Sequence, residues 1–216
     1  MLAHADELLR SNERHAPSVR VTPWLPIVAL AVCGSLVYGA VMGCWSTRPL
    51  QVIVSGLKVP LLLAGTTLVC LPNFFVLNTI LGLRDDFGAA LRGVLAAQAT
   101  LALVLAGLAP LTGFVYLAGC SYPMATLTNG AAFLTATLGG QWTLARHYRR
   151  LIDRDPKHRI CLVAWIVLYQ FVAIQLAWSL RPFIGSPDLE TMFFRPDSWT
   201  NAYVDAVRAM QSAVGG

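Results

Sequence analysis

Residues Ile160 to Leu180, ICLVAWIVLYQFVAIQLAWSL, run for twenty-one positions without one charged side chain. At ~1.5 Å per residue a helix of that length crosses a hydrocarbon core of ~30 Å. Inside such a core every backbone N–H and C=O must be paired within the protein, which leaves a helix as the only economical form for a single apolar segment. Arg181-Pro182 then ends it: the charge resists hydrocarbon, and the proline ring disfavours a helical conformation for the residue before it. Beyond lies an aromatic-rich segment, FIGSPDLETMFFRP, with a Gly-Ser-Pro turn and a second Arg-Pro pair, Arg195-Pro196.

The rest of the chain obeys the same constraint. Of 216 residues, 56% are apolar and 12% charged, against a charged fraction of ~25% in soluble domains. The expected fold is an all-α polytopic membrane bundle of about five transmembrane helices, forming one domain over 1–216. The spans are placed at 24–45, 59–83, 93–118, 124–145 and 160–180. An N-terminal cytoplasmic amphipathic helix precedes them, with Met1, Leu2, Ala5, Leu8 and Leu9 on one face. A C-terminal amphipathic helix follows on the outer side, with Trp199, Ala202, Tyr203, Ala206, Val207 and Met210 at helical spacing and Trp199 and Tyr203 at headgroup level. Asp6, Glu7 and Glu13 distinguish the start from the basic end of a cleaved leader, so the first span is expected to remain.

The net charge of +5 finds its first explanation in loops rather than in nucleic acid. Placing the N-terminus inside puts eleven of the sixteen Lys and Arg on inner segments, six of them in RHYRRLIDRDPKHR, residues 146–159. This orients the protein N-in and C-out across its membrane. The same basic run is able to hold anionic lipid headgroups. Five cysteines, Cys33, Cys44, Cys70, Cys120 and Cys161, are scattered without a CxxC pair and read as small apolar fillers.

Within the spans, Ser35, Gly39 and Gly43 recur every fourth residue, as do Ala131, Thr135 and Gly139. Small residues at that interval let another helix backbone approach closely, in the same chain or in a second subunit. Residues 46–58 read as an external connection in which QVIVSGL is either a half-buried interfacial helix or an early start to the second span, closed by Lys58. That second span carries Pro60 in its first turn and Pro72 near its middle, where a proline removes a backbone hydrogen bond and kinks the helix. Thr66, Thr67, Asn73 and Asn78 surround the kink, giving Thr66, Pro72, Asn73 and Asn78 as a candidate polar path. On the outer side, Lys58, Arg181, Pro182, Asp188, Glu190 and Arg195 form the candidate loop constellation. Arg181 is expected to complement the free carbonyls of its helix end and to reach Asp188 or Glu190.

Chemistry is sparse. There is no GxSxG, HExxH or phosphate-cradling glycine loop, and no Asp or Glu falls inside a proposed span. Asp85-Asp86 lacks a second acidic pair and reads as a solvated loop rather than a metal or diphosphate site. His4, His15, His147 and His158 all fall on cytoplasmic segments. No catalytic residue, cofactor or metal is therefore expected. The runs KVPLLLAGTTLVCLPNFFVLNTILGL and AWSLRPFIGSPDLETMFFRP resemble an uncharacterised family of bacterial multi-span inner-membrane proteins, loosely Yip-like. The resemblance implies a non-enzymatic bundle of about five helices in a bacterial inner membrane and transfers no site residues. Two functions follow: a scaffold, anchor or accessory subunit working as a homo-oligomer or with other membrane subunits, and, alternatively, a small oligomeric ion channel with the kinked second span near its axis.

Overall fold

The computed structural model describes residues 24–185, 191–194 and 203–204. The helix expected over 1–13, most of the last helix, and Asp188, Glu190 and Arg195 lie outside the described residues. Five long helices account for nearly everything described: α1 (Trp24–Gly43), α2 (Pro49–Ile80), α3 (Phe87–Leu117), α4 (Tyr122–Ile152) and α5 (His158–Leu180). Short 3-10 turns, Cys44–Ser46 and Arg84–Asp86, sit in two of the connections. Four of the helical segments are long and apolar enough to cross a membrane. Helix α4 matches them in length but interrupts its apolar surface with Thr126, Thr128, Thr135, Thr137, Gln141 and Thr143.

Consecutive helices run antiparallel, with the 146–159 run at one end, the basic end, and residues 181–185 and 191–194 at the other, the cap end. Helix α1 packs between α2 and α3, α4 lies along α3, and α5 lies along α2. Two apolar clusters fill the bundle. Toward the basic end, Phe74, Val94, Leu144, Tyr148, Trp165 and Tyr169 join α2 to α5. Toward the cap end, Tyr38, Val59, Leu105, Ala132 and Ile184 join α1 to α4 and the chain after α5. Three interhelical hydrogen bonds tie these layers. Asn129 accepts from Tyr38 Oη at 2.8 Å and donates to Tyr116, and Gln98 Oε1 accepts from Tyr169 Oη at 3.0 Å.

Close packing explains the small residues, though one stripe is displaced from its expected place. A Cβ on Gly39 would lie 2.5 Å from the Ser55 carbonyl oxygen, and one on Gly43 would lie 2.7 Å from that of Gln51. These glycines face α2 of the same chain, while Ser35 turns its hydroxyl back to Ala31 and Val32. On α4 the residues pressed against α3 are Ala132, Ala136 and Gly140. Ala131 and Thr135 are exposed, and Gly139 only grazes Val104. The packed stripe is shifted by one position because Asn129 and Leu144, both buried, set the inward face.

Several boundaries move. Most of 46–58 is helix: of the two readings of QVIVSGL the early start to the second span is the one found, since α2 starts at Pro49, with the proline at a helix start where its missing N–H costs nothing. Pro60 therefore sits in a helix interior rather than a first turn. The basic run is helical as far as Ile152, which leaves a turn of only 153–157. Asp86 is not simply solvated: its carboxylate meets His158 Nε2 at 3.2 Å and Arg154 at 3.8 Å, tying the α2–α3 connection to the start of α5. Tyr203 lies against the side of α5. It stacks flat on Phe171, 4.6 Å between centroids, and donates to the Phe171 carbonyl at 2.8 Å, nine residues before α5 ends.

Candidate functional site

Helix α2 is 32 residues long, about 48 Å at ~1.5 Å per residue, and α5 is too short to accompany it to the cap end. Leu176 of α5 packs on Gly65, so α5 finishes several turns short of Pro49. The chain after Leu180 turns into the space this leaves. Arg181-Pro182 is a cis peptide, Gly185 takes the left-handed conformation open to glycine (φ +84°) against Gln51 and Ser46, and Pro182, Ile184 and Gly185 are buried. This is irregular backbone packed against a membrane-spanning helix, a situation tolerated only where protein groups pair its carbonyls.

Three side chains of α2 supply that pairing. Lys58, which is fully buried, donates from Nζ to the Pro182 carbonyl at 2.9 Å and to the Met192 carbonyl at 3.2 Å. The same nitrogen lies 5.3 Å from the centroid of the Phe193 ring, where a cation gains from the ring's negative face. Ser55 donates to the Phe183 carbonyl, and Gln51 Nε2 reaches both Ser55 Oγ at 2.9 Å and Phe183 O at 3.1 Å. One turn of irregular chain and a second strand of it, residues 191–194, are thus stapled to the same helix face. Lys58 does not close an external connection: it lies nine residues inside α2.

The constellation expected at this end is only partly assembled. Lys58 and Pro182 meet through the Pro182 carbonyl. The Arg181 guanidinium stacks on Trp178, with Cζ 3.5 Å from the ring centroid, which fixes it on α5's last turn. Gln51 and Ser55, which complete the clamp, escaped the sequence reading. Their signal was present, because Gln51, Ser55 and Lys58 stand at i, i+4 and i+7 and so share one face of a helix. Reading Lys58 as the end of an external connection hid it.

The candidate polar path is not brought together. Thr66 donates to Leu62 O at 2.7 Å, Thr67 to Leu63 O at 2.8 Å, and Asn78 Nδ2 to Phe74 O at 2.8 Å. These side chains satisfy their own helix. Pro72 and Asn73 are exposed on the outside of the bundle, whereas Asn78 is buried on another face, with Oδ1 unpaired among the described residues. Also among the described residues, no three His, Cys, Asp or Glu side chains come together. What the arrangement can do chemically is hold backbone in place, as a clamp on the chain that follows α5. The chain matches no protein-family model, no curated protein and no solved structure.

Proposed function

We propose that this protein is a non-enzymatic anchor or accessory subunit of a bacterial inner membrane, in which the helical bundle holds a fixed cap toward a partner on the outer side. The observation that carries this reading is the Lys58 clamp. The chain spends a buried lysine, an amide and a hydroxyl on fixing the segment after α5, whereas buried Thr66, Thr67 and Gln98 bond within or between helices. Surface aromatic and apolar side chains on that cap, such as Phe194 and Met192, suit contact with another membrane subunit or a second copy. The channel reading is weaker, because Asn73 and Asn78 occupy different faces of α2.

Orientation is tested first. Cysteine labelling in cells is expected to reach position 191 from outside and position 155 only after permeabilisation; the reverse pattern would put the cap in the cytoplasm and remove the outer partner.

Ion flux then separates the two functions. Purified protein in liposomes is expected to conduct nothing. Asn78→Leu is expected to leave assembly intact, at a loss of about 1 kcal/mol for the hydrogen bond to Phe74. Flux from the wild type that Asn78→Leu abolishes would reverse the choice in favour of a channel.

A further inference from the structure

Helices α1 and α2 touch backbone to backbone at Gly39 and Gly43 but part company toward the basic end. The gap is a cavity of about 270 Å³ open to the side, walled by Ala31, Ser35, Ala64 and Leu68 and floored by Leu95 and Gln98 of α3. Pro60, inside α2, lies on its wall, and an interior proline bends the helix that contains it. The rim is apolar and outward-facing: Val28, Val32 and Leu68 are 42, 41 and 65% exposed. Two of the cavity's three polar side chains, Ser35 and Thr67, donate to their own helices, leaving walls that attract hydrocarbon and not water.

In helices that cross a bilayer, a lateral opening of this kind meets lipid tails. Void space there forfeits dispersion contacts on every wall, so a chain that fills it is favoured over an empty cleft. The headgroup end is also marked. Arg92, exposed on α3, precedes Leu95 by three residues and so stands on the same helix face, one turn nearer the basic end. A long cationic side chain at that position reaches toward the interface.

We propose that this cleft binds one acyl chain of an anionic phospholipid, with the phosphate met by Arg92. The site is specific because the chain enters between two helices instead of lying on the bundle surface. It is independent of the anchor function.

The test uses the full chain in nanodiscs of phosphatidylglycerol doped with a phosphatidylglycerol carrying a diazirine in its acyl chain. Cross-links are expected to concentrate on Ala31, Val32, Ala64 and Leu68. Ala64→Phe, which fills the cleft from its wall, is expected to abolish those cross-links while labelling of Val163 and Val167 on the exposed side of α5 persists. Arg92→Gln is expected to erase the preference for phosphatidylglycerol over phosphatidylcholine and to leave the labelled positions unchanged. Three results would overturn the proposal. One is labelling spread evenly over all exposed helix positions and indifferent to Ala64→Phe, the mark of bulk lipid only. Another is labelling that arises only after residues 1–23 are removed, which would make the chain's own N-terminal segment the occupant. The third is co-purification of an isoprenoid in place of phospholipid. Melting in detergent guards against misfolding: Ala64→Phe is expected to melt no lower than the wild type without lipid, and to lose the rise that added phosphatidylglycerol gives the wild type.

Discussion

Lys58→Met is expected to release the chain after α5 from the bundle and to lower stability by about 2–4 kcal/mol. Methionine keeps most of the side-chain volume, so the cost does not come from a hole. It comes from the Pro182 and Met192 carbonyls, which lose the Lys58 donor at 2.9 and 3.2 Å. A buried polar group left without its partner costs about 1–3 kcal/mol. Part of that loss is offset, because the variant no longer buries an amino group, and replacing buried charge by apolar volume is often neutral when the whole set is replaced. Here only one member goes, so the deficit remains. Limited proteolysis should show faster cleavage within 181–194, and the detergent melting temperature should fall. Lys157→Met, at an exposed position in the turn before α5, is the matched control and should change neither. Equal protease resistance in Lys58→Met and wild type would show that Gln51 and Ser55 hold the segment unaided.

How far such a clamp is visible in sequence depends on which physical signal carries it. The crossings themselves were legible because apolar length is a direct measure of bilayer thickness: α5 begins and ends within two residues of the range read from composition alone. For α2 the early start was one of two readings of QVIVSGL and is the one found; the choice stayed open because Gln51, Ser55 and Lys58 lower the hydropathy of the helix's first three turns. Their polarity is there to meet backbone, not water. The stripe of α4 that packs within the chain was missed for a related reason. Spacing fixes that small residues lie on one helix face, but Ala131, Thr135 and Gly139 and Ala132, Ala136 and Gly140 have the same spacing. Only the burial of Asn129 beside Tyr38 and Tyr116 decides which set turns inward. The polar-path residues are not brought together within the chain because Asn73 and Asn78 are five residues apart, which rotates them to different faces, and because the hydroxyls of Thr66 and Thr67 have an acceptor four residues back.

Gly39→Ile and Gly43→Ile are expected to unseat α1 from α2, and in doing so to loosen the cap that neither residue touches. The Cβ of a residue at 39 would stand 2.5 Å from Ser55 O and 2.9 Å from Gly56 Cα; at 43 it would stand 2.7 Å from both Gln51 O and Val52 Cα. These are backbone atoms of a helix and do not rotate away, so the helices must separate. Overpacking typically costs about 1–3 kcal/mol, more when backbone has to move, and each substitution is expected to reach at least the upper part of that range. Because the displaced carbonyls belong to Gln51 and Ser55, whose side chains hold Phe183, proteolysis at 181–194 should accelerate together with the fall in melting temperature. The dependence on protein concentration identifies which interface is involved. A contact within one chain gives the same destabilisation at every dilution, whereas a contact between copies gives a loss that grows as the protein is diluted. Thr135→Ile, on the exposed α4 stripe, provides the opposite case: the single chain should melt as the wild type does, and any effect should be confined to association. A defect in Gly39→Ile that disappears at high concentration would move this helix face from the bundle interior to a subunit interface.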